Sequence, residues 1–223
     1  MRYERKFIIN NDLNINIENI VKIIHGQFFP IYSSRYINNI YFDSIDLNNF
    51  HNNSEGLSKR GKTRIRWYNK FFGKSDQPTI ELKEKIGVLV KKRLFKIPNL
   101  EIRENANFNK FFRKNIYKSL DKEIQIHLSN KIATVINRYN RKYFISKNNY
   151  FRITIDKNQM VANPNKIKYP VPLNAIYKNT SILELKYDIK HEAEARLITN
   201  DLPFRLNKNS KYVNSLKSIY HNY

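Results

Sequence analysis

The 223-residue sequence contains no cysteine, which excludes a disulfide framework, a thiolate zinc site, an iron–sulfur cluster and a cysteine nucleophile. Its five glycines and seven prolines form no flexible linker, Pro-rich hinge or Gly-rich phosphate loop. No stretch approaches the roughly 20 apolar residues of a spanning helix, and MRYERKF lacks the apolar run of a secretory leader. A soluble, cytoplasmic protein is expected. Acidic residues are scarce as well: 19 Asp and Glu stand against 41 Lys and Arg, a formal net charge of +22. That excess favours anionic partners. The crowding of Asn, Ile and Lys points to a general compositional bias, so the lysine count alone names no ligand.

What the chain does hold is apolar and aromatic material, 41% and 13% of its residues, enough for a sizeable core, and this excludes a disordered basic tail. No repeat or composition break marks a boundary, so residues 1–223 read as a single domain. Periodicity gives an α+β pattern rich in short strands. Strands are expected at Arg2 to Ile9, Ile37 to Phe42, Gly61 to Tyr68, Thr79 to Ile86, Val88 to Ile97, Ala133 to Ile145, Tyr150 to Ile155 and Ile182 to Tyr187, with Gly87 in a hairpin turn. A helix capped by Asp12 carries Ile17, Ile20, Val21 and Ile24 and ends at Gly26; others lie within Asn105 to Ser129 and from Asn209 to Tyr220.

In a strand, residues i and i+2 share a face, and charged pairs recur at that spacing. Glu4 pairs with Lys6, Arg64 with Arg66, Glu81 with Lys83, Lys91 with Arg93, Glu184 with Lys186, and Arg152 with Thr154 and Asp156. Ile65, Trp67, Ile80, Leu82, Ile153, Ile155, Leu183 and Leu185 fill the positions between. A single pair is ordinary in a half-buried sheet. Repetition over several strands predicts a closed antiparallel β-barrel of about eight strands, with helices over its apolar outside and charged residues lining a wet interior. Crowded cations repel unless a polyanion supplies countercharge. Arg and Lys suit phosphoryl oxygens, and the carboxylates among them suit a divalent cation that bridges phosphates.

Nine pieces in order, RYERKF, NNIYFDSIDLNNF, KRGKTRIRWY, IELKEK, VKKR, VINRYNRKYF, RITID, LELKY and KNSKY, resemble the VTC domain, the polyphosphate polymerase branch of the triphosphate tunnel metalloenzymes. The resemblance runs from Arg2 to about Leu216. It implies a tunnel that binds ATP or polyphosphate with Mg2+ or Mn2+ and passes the terminal phosphoryl group of ATP to a growing polyphosphate chain. Matched motif by motif, it implies Lys6, Arg64, Arg66, Lys83, Lys91, Arg141, Arg152, Lys186 and Lys211 as phosphate ligands. Glu184 is the implied metal ligand, with Glu4 and Glu81 as weaker candidates that could instead orient neighbouring Lys and Arg. KNSKY departs from the family in having Asn209 where an aromatic residue is usual. Regulatory and membrane segments of the kind some members carry are not expected from these residues, and any coupling to translocation is expected to need other proteins.

Lys91 is preferred over Lys92 as the inward residue, although a one-residue slip of LVKKRLFK reverses that choice. Asp156 fits an N-cap, a metal ligand or a turn acid. The five histidines, His25, His51, His127, His191 and His221, show no metal spacing, and no activated Ser is visible. Two other functions compete: a tripolyphosphatase or nucleoside triphosphatase that uses water as acceptor, and, more distantly, a non-catalytic basic nucleic-acid-binding protein. Carboxylates at fixed positions beside the cations speak against nucleic acid as a partner.

Overall fold

Alternation along the chain builds most of the structure. The computed structural model describes residues 2–13, 15–75, 77–87, 89–97, 99–172 and 179–220; the expected strand start at Val88 and His221 lie outside them. In chain order the elements are β1 (Arg2–Asn10), α1 (Ile17–Ile23), β2 (Phe29–Asp43), α2 (Asn48–Ser54), β3 (Lys59–Tyr68), β4 (Gly73–Lys74), β5 (Thr79–Ile86) and β6 (Leu89–Lys96). They continue with β7 (Glu101–Ile102), α3 (Phe108–Asn115), α4 (Lys122–Leu128), β8 (Ile132–Ile145), β9 (Arg152–Ala162), β10 (Val171–Pro172), β11 (Thr180–Asp188), α5 (Glu192–Asn200) and α6 (Lys211–Tyr220). The fold is α+β with a large antiparallel sheet. The chain divides into two compact units, one of Met1–Arg35, Tyr139–Gln159 and Ala175–Asn209, the other of Tyr36–Arg138, Met160–Asn174 and Ser210–Tyr223.

In the first unit β1 pairs antiparallel with β11, β11 with β9, and β9 neighbours β8. Phe7, Ile9, Ile153, Ile155, Leu183 and Leu185 point to one face, where Ile17, Val21, Ala195 and Ile198 of α1 and α5 pack on them. Burying such side chains contributes about 1.5–3 kcal/mol each. The cap of α1 is Asn16, whose side chain accepts from Asn19 N at 3.2 Å. Asp12, the expected cap, lies instead in a short 3-10 turn at Asn11–Leu13. The sequence reading passed over α5, whose buried stripe is only Ala195 and Ile198.

In the second unit β8, β2, β3, β5 and β6 lie in that order, with antiparallel pairing from β2 to β6. Ile40, Phe42, Ile65, Trp67, Ile80 and Leu82 form its apolar face against Phe108 and Phe112 of α3 and Ile124 and Leu128 of α4. Asn107 caps α3 by accepting from Lys110 N at 3.0 Å.

Among the described residues no sheet closes into a barrel, which corrects the expectation of closure over about eight strands. Closure needs end strands that pair further. The outer edge of β1 is instead taken by a bridge from Phe7 to Leu206 and by Asn207 N donating to Lys6 O at 2.8 Å. β6, the last strand of its unit, carries Lys91, Lys92, Arg93 and Lys96, and charge of this kind blunts an edge. What the alternation does place is a charged face on each unit, opposite the helix-covered one.

Candidate phosphate-binding and metal-binding residues

On the first unit, pairing aligns Lys6 with Glu184 and Glu184 with Thr154, and one step along aligns Glu4 with Lys186 and Lys186 with Arg152. Directly opposed residues of an antiparallel sheet share a face, so the six form one charged patch. Glu184 is 6% exposed and has Lys186 Nζ at 3.4 Å, Lys6 Nζ at 3.7 Å and Arg141 Nη2 at 3.8 Å. Lys6 also stands 3.7 Å from Glu4 and donates to Asn209 O at 3.2 Å. Arg141 of β8 forms a fork on Asp156 of β9, Nε to Oδ1 at 2.5 Å and Nη2 to Oδ2 at 2.7 Å. Burial works against the Arg141 charge, and the Asp156 and Glu184 carboxylates outweigh it, so its pKa is raised well above the usual arginine value. Asp156 is therefore the anchor of an arginine.

On the second unit, Arg64 faces Glu81, Lys62 faces Lys83, and Lys83 faces Lys92. Glu81, 5% exposed, accepts from Arg64 Nε at 2.9 Å and Nη2 at 2.5 Å, and lies 3.3 Å from Arg66 Nη1 and 3.5 Å from Lys92 Nζ. Burial alone would raise its pKa; Arg64, Arg66 and Lys92 overcome that and lower it to about 2. Desolvation, with the two arginines beside it, lowers the pKa of Lys92 against the pull of Glu81. Arg66 Nε donates to Asn39 Oδ1 at 3.0 Å, Asn39 Nδ2 to Asn137 Oδ1 at 2.8 Å, and Asn137 Nδ2 to Ser215 Oγ at 3.1 Å. A chain of hydrogen bonds thus fixes Arg66 against α6. Tyr212 of α6 stacks on Tyr41 at 5.1 Å and donates to Asp43 Oδ2 at 2.5 Å. Asp43 also accepts from Ser44 N, Asn49 N and Phe50 N, which fixes the turn into α2.

Of the expected residues, Glu4, Lys6, Arg141, Arg152, Glu184 and Lys186 meet on the first unit, and Arg64, Arg66, Glu81 and Lys83 on the second. Lys211 opens α6, with the preceding Ser210 Oγ accepting from Lys62 Nζ at 2.9 Å. Lys91 is corrected. The β5–β6 register pairs it with Glu84 on the helix-covered side, whereas Lys92 pairs with Lys83 and reaches Glu81. Lys62 was missed, although the alternation Lys62, Arg64, Arg66 in KTRIR contains it. Asn39 and Asn137 carried no comparable signal, because an Asn in a strand is as readily a surface residue.

The model of the VTC domain family matches residues 1–220. This chain is a VTC domain. No curated protein matches it. Solved structures show the fold at low identity: a candidate adenylate cyclase from Vibrio parahaemolyticus is 12% identical with a TM-score of 0.52, covering 96% of each chain. The PH1819 protein of Pyrococcus horikoshii is 14% identical with a TM-score of 0.51, covering 97% of this chain and 99% of its own. A candidate adenylate cyclase from Bacillus halodurans is 12% identical with a TM-score of 0.50, covering 94% and 95%. No helix among the described residues of the VTC domain is long and apolar enough to cross a membrane.

The oxygen donors of this VTC domain fit a hard divalent cation. Thr154 Oγ1 is buried without a hydrogen-bond partner and sits across the strand pair from Glu184. A carboxylate beside an unsatisfied hydroxyl oxygen is a workable pair of ligands. No group of three or more His, Cys, Asp or Glu able to hold a metal occurs among the described residues. A cation would then draw its other ligands from phosphate and water, as Mg2+ usually does. Glu81 fits poorly, since Arg64, Arg66 and Lys92 already engage it.

Proposed function

We propose that this protein is an ATP:polyphosphate phosphotransferase of the cytoplasm, working in the tunnel setting of its family with Mn2+ or Mg2+. The observation that carries the reading is Glu184, buried among Lys6, Lys186 and Arg141 beside the unpartnered Thr154 hydroxyl. Membership of the VTC domain over residues 1–220 supports polyphosphate as acceptor. Lys6, Lys186 and Arg152 on one unit and Arg64, Arg66, Lys83 and Lys92 on the other bind phosphoryl oxygens. Lys211 adds a further cation, and Glu4 steers Lys6. Arg141, locked by Asp156, holds a fixed positive charge toward Glu184.

In the reaction an oxygen of the terminal phosphate of the chain attacks the γ-phosphorus of ATP. One P–O bond forms while the bond from the γ-phosphorus to the β–γ bridging oxygen breaks, and ADP leaves with that oxygen. No protein nucleophile is needed; positioning and charge neutralisation supply the rate. Glu184 and Thr154 would hold the divalent cation, which would supply neutralisation of the phosphoryl charge.

The test is incubation with γ-labelled ATP and Mn2+ followed by gel separation. Labelled chains longer than triphosphate, lost in Lys6→Ala, are expected. Free phosphate alone would replace this reading with hydrolysis, and no turnover would overturn it.

A further inference from the structure

The β5–β6 hairpin carries apolar side chains where a soluble surface has little use for them. Ile86 is 60% exposed, Leu89 69% and Val90 50%, grouped around the turn at Gly87, whose φ is +58°. A Cβ built on Gly87 would meet nothing within 4 Å, so that side of the turn faces open space, while Gly87 N donates to Ser58 O at 3.0 Å and ties the turn to the start of β3. Scattered exposed apolar residues are normal, whereas a cluster at a projecting tip marks an interaction surface. Lys85 precedes the tip and Lys91 follows it, forming a basic collar, while Lys92 turns to Glu81 and Arg93 to Glu84 and Glu123.

Along β3 and the turn end of β5 lies a cavity of about 380 Å³ whose wall includes Lys59, Arg60, Lys85, Lys131, His127 and Ile86. Its one acidic wall residue, Glu84, stands 3.7 Å from Arg93 Nη2. Lys131 Nζ donates to His127 O at 2.8 Å, which holds that ammonium in the wall. Apolar tip, basic collar and basic cavity therefore lie together in one unit.

We propose that the β5–β6 hairpin docks this protein on an anionic lipid surface. Ile86, Leu89 and Val90 enter the interface between headgroups and acyl chains. The lysine stems of the collar lie along it with their ammonium groups at headgroup level. The cavity receives a phosphate-bearing headgroup. Charge complementarity selects this occupant: each Lys or Arg near an anionic leaflet adds attraction, and the apolar residues need a medium that accepts them. The cavity shares Lys62 and Lys83 with the charged face of the second unit, but Ile86, Leu89 and Val90 are not among the proposed phosphate ligands, so a variant of these three tests the docking apart from the phosphotransferase reading.

The experiment is vesicle co-sedimentation of the full chain, comparing phosphatidylcholine vesicles with the same vesicles containing about a quarter phosphatidylserine. The wild type is expected to bind the anionic vesicles and leave the neutral ones. The triple variant Ile86→Ser, Leu89→Ser, Val90→Ser should bind the anionic vesicles at least tenfold more weakly with an unchanged melting temperature. Binding by the triple variant equal to wild type would reduce the interaction to the general attraction of a basic chain and overturn the proposal. Equal binding to both vesicle types, or to neither, would overturn it too. As a direct readout of insertion, Leu89→Trp should shift its emission to the blue on adding anionic vesicles, against the constant signal of buried Trp67; no shift contradicts insertion.

Discussion

Glu81 and Glu184 are both almost fully buried among cations, yet their surroundings differ in kind. Glu81 receives Arg64 at 2.5 Å, Arg66 at 3.3 Å and Lys92 at 3.5 Å, and its pKa falls to about 2. Glu184 has its lysines and Arg141 at 3.4, 3.7 and 3.8 Å, with Arg141 already committed to Asp156. The first is a counter-charge that spaces and aims two arginines. The second is a carboxylate ringed by two lysines and an arginine already committed elsewhere, beside an unsatisfied hydroxyl. The same residue type in the same alternating pattern thus serves order in one unit and, in our reading, cation binding in the other.

The largest expected effect comes from Asp156→Asn, which leaves Arg141 buried without its fork and should cost about 3–5 kcal/mol by denaturant unfolding. Pairing Asp156→Leu with Arg141→Met should restore much of that stability without restoring turnover, separating the structural and electrostatic parts of the pair. Next, Glu184→Gln should lower turnover on the order of 100-fold or more while melting changes little. Comparable destabilisation by Glu184→Gln and Glu81→Gln would erase the contrast between the two carboxylates.

The pH dependence sharpens it. The Glu81 carboxyl has a folded pKa of about 2 against the ordinary 4.5 of a free glutamate, so its contribution to stability is present above about 4.5 and lost as pH falls toward 2. Acid unfolding of Glu81→Gln should therefore show a flatter slope across that window than wild type. The smallest effect concerns register: Lys92→Ala should weaken tripolyphosphate binding about fivefold, the loss of roughly 1 kcal/mol, and Lys91→Ala should leave it within twofold. The reverse ranking would mean that the strand pairs one residue out of step.

Legibility followed the physics of alternation. β3, β5, β9 and β11 were readable because each puts apolar residues on one side and charges on the other, and that pattern also named Arg64, Arg66, Glu81 and Glu184. Register was not readable in LVKKRLFK, where adjacent lysines satisfy either phase, and only pairing with β5 places Lys92 on the charged face. The Arg141–Asp156 fork joins two strands, and its partners lie 15 residues apart, so no local pattern announces it. Closure failed as an expectation because the fate of an edge depends on distant segments, here residues 206–207 against β1.

The division between the two carboxylates is tested most directly by calorimetric titration of tripolyphosphate with and without Mn2+ into wild type, Glu81→Gln and Glu184→Gln. The account predicts that Mn2+ tightens binding in wild type and in Glu81→Gln and has no such effect in Glu184→Gln. Equal tightening by Mn2+ in Glu184→Gln would contradict it.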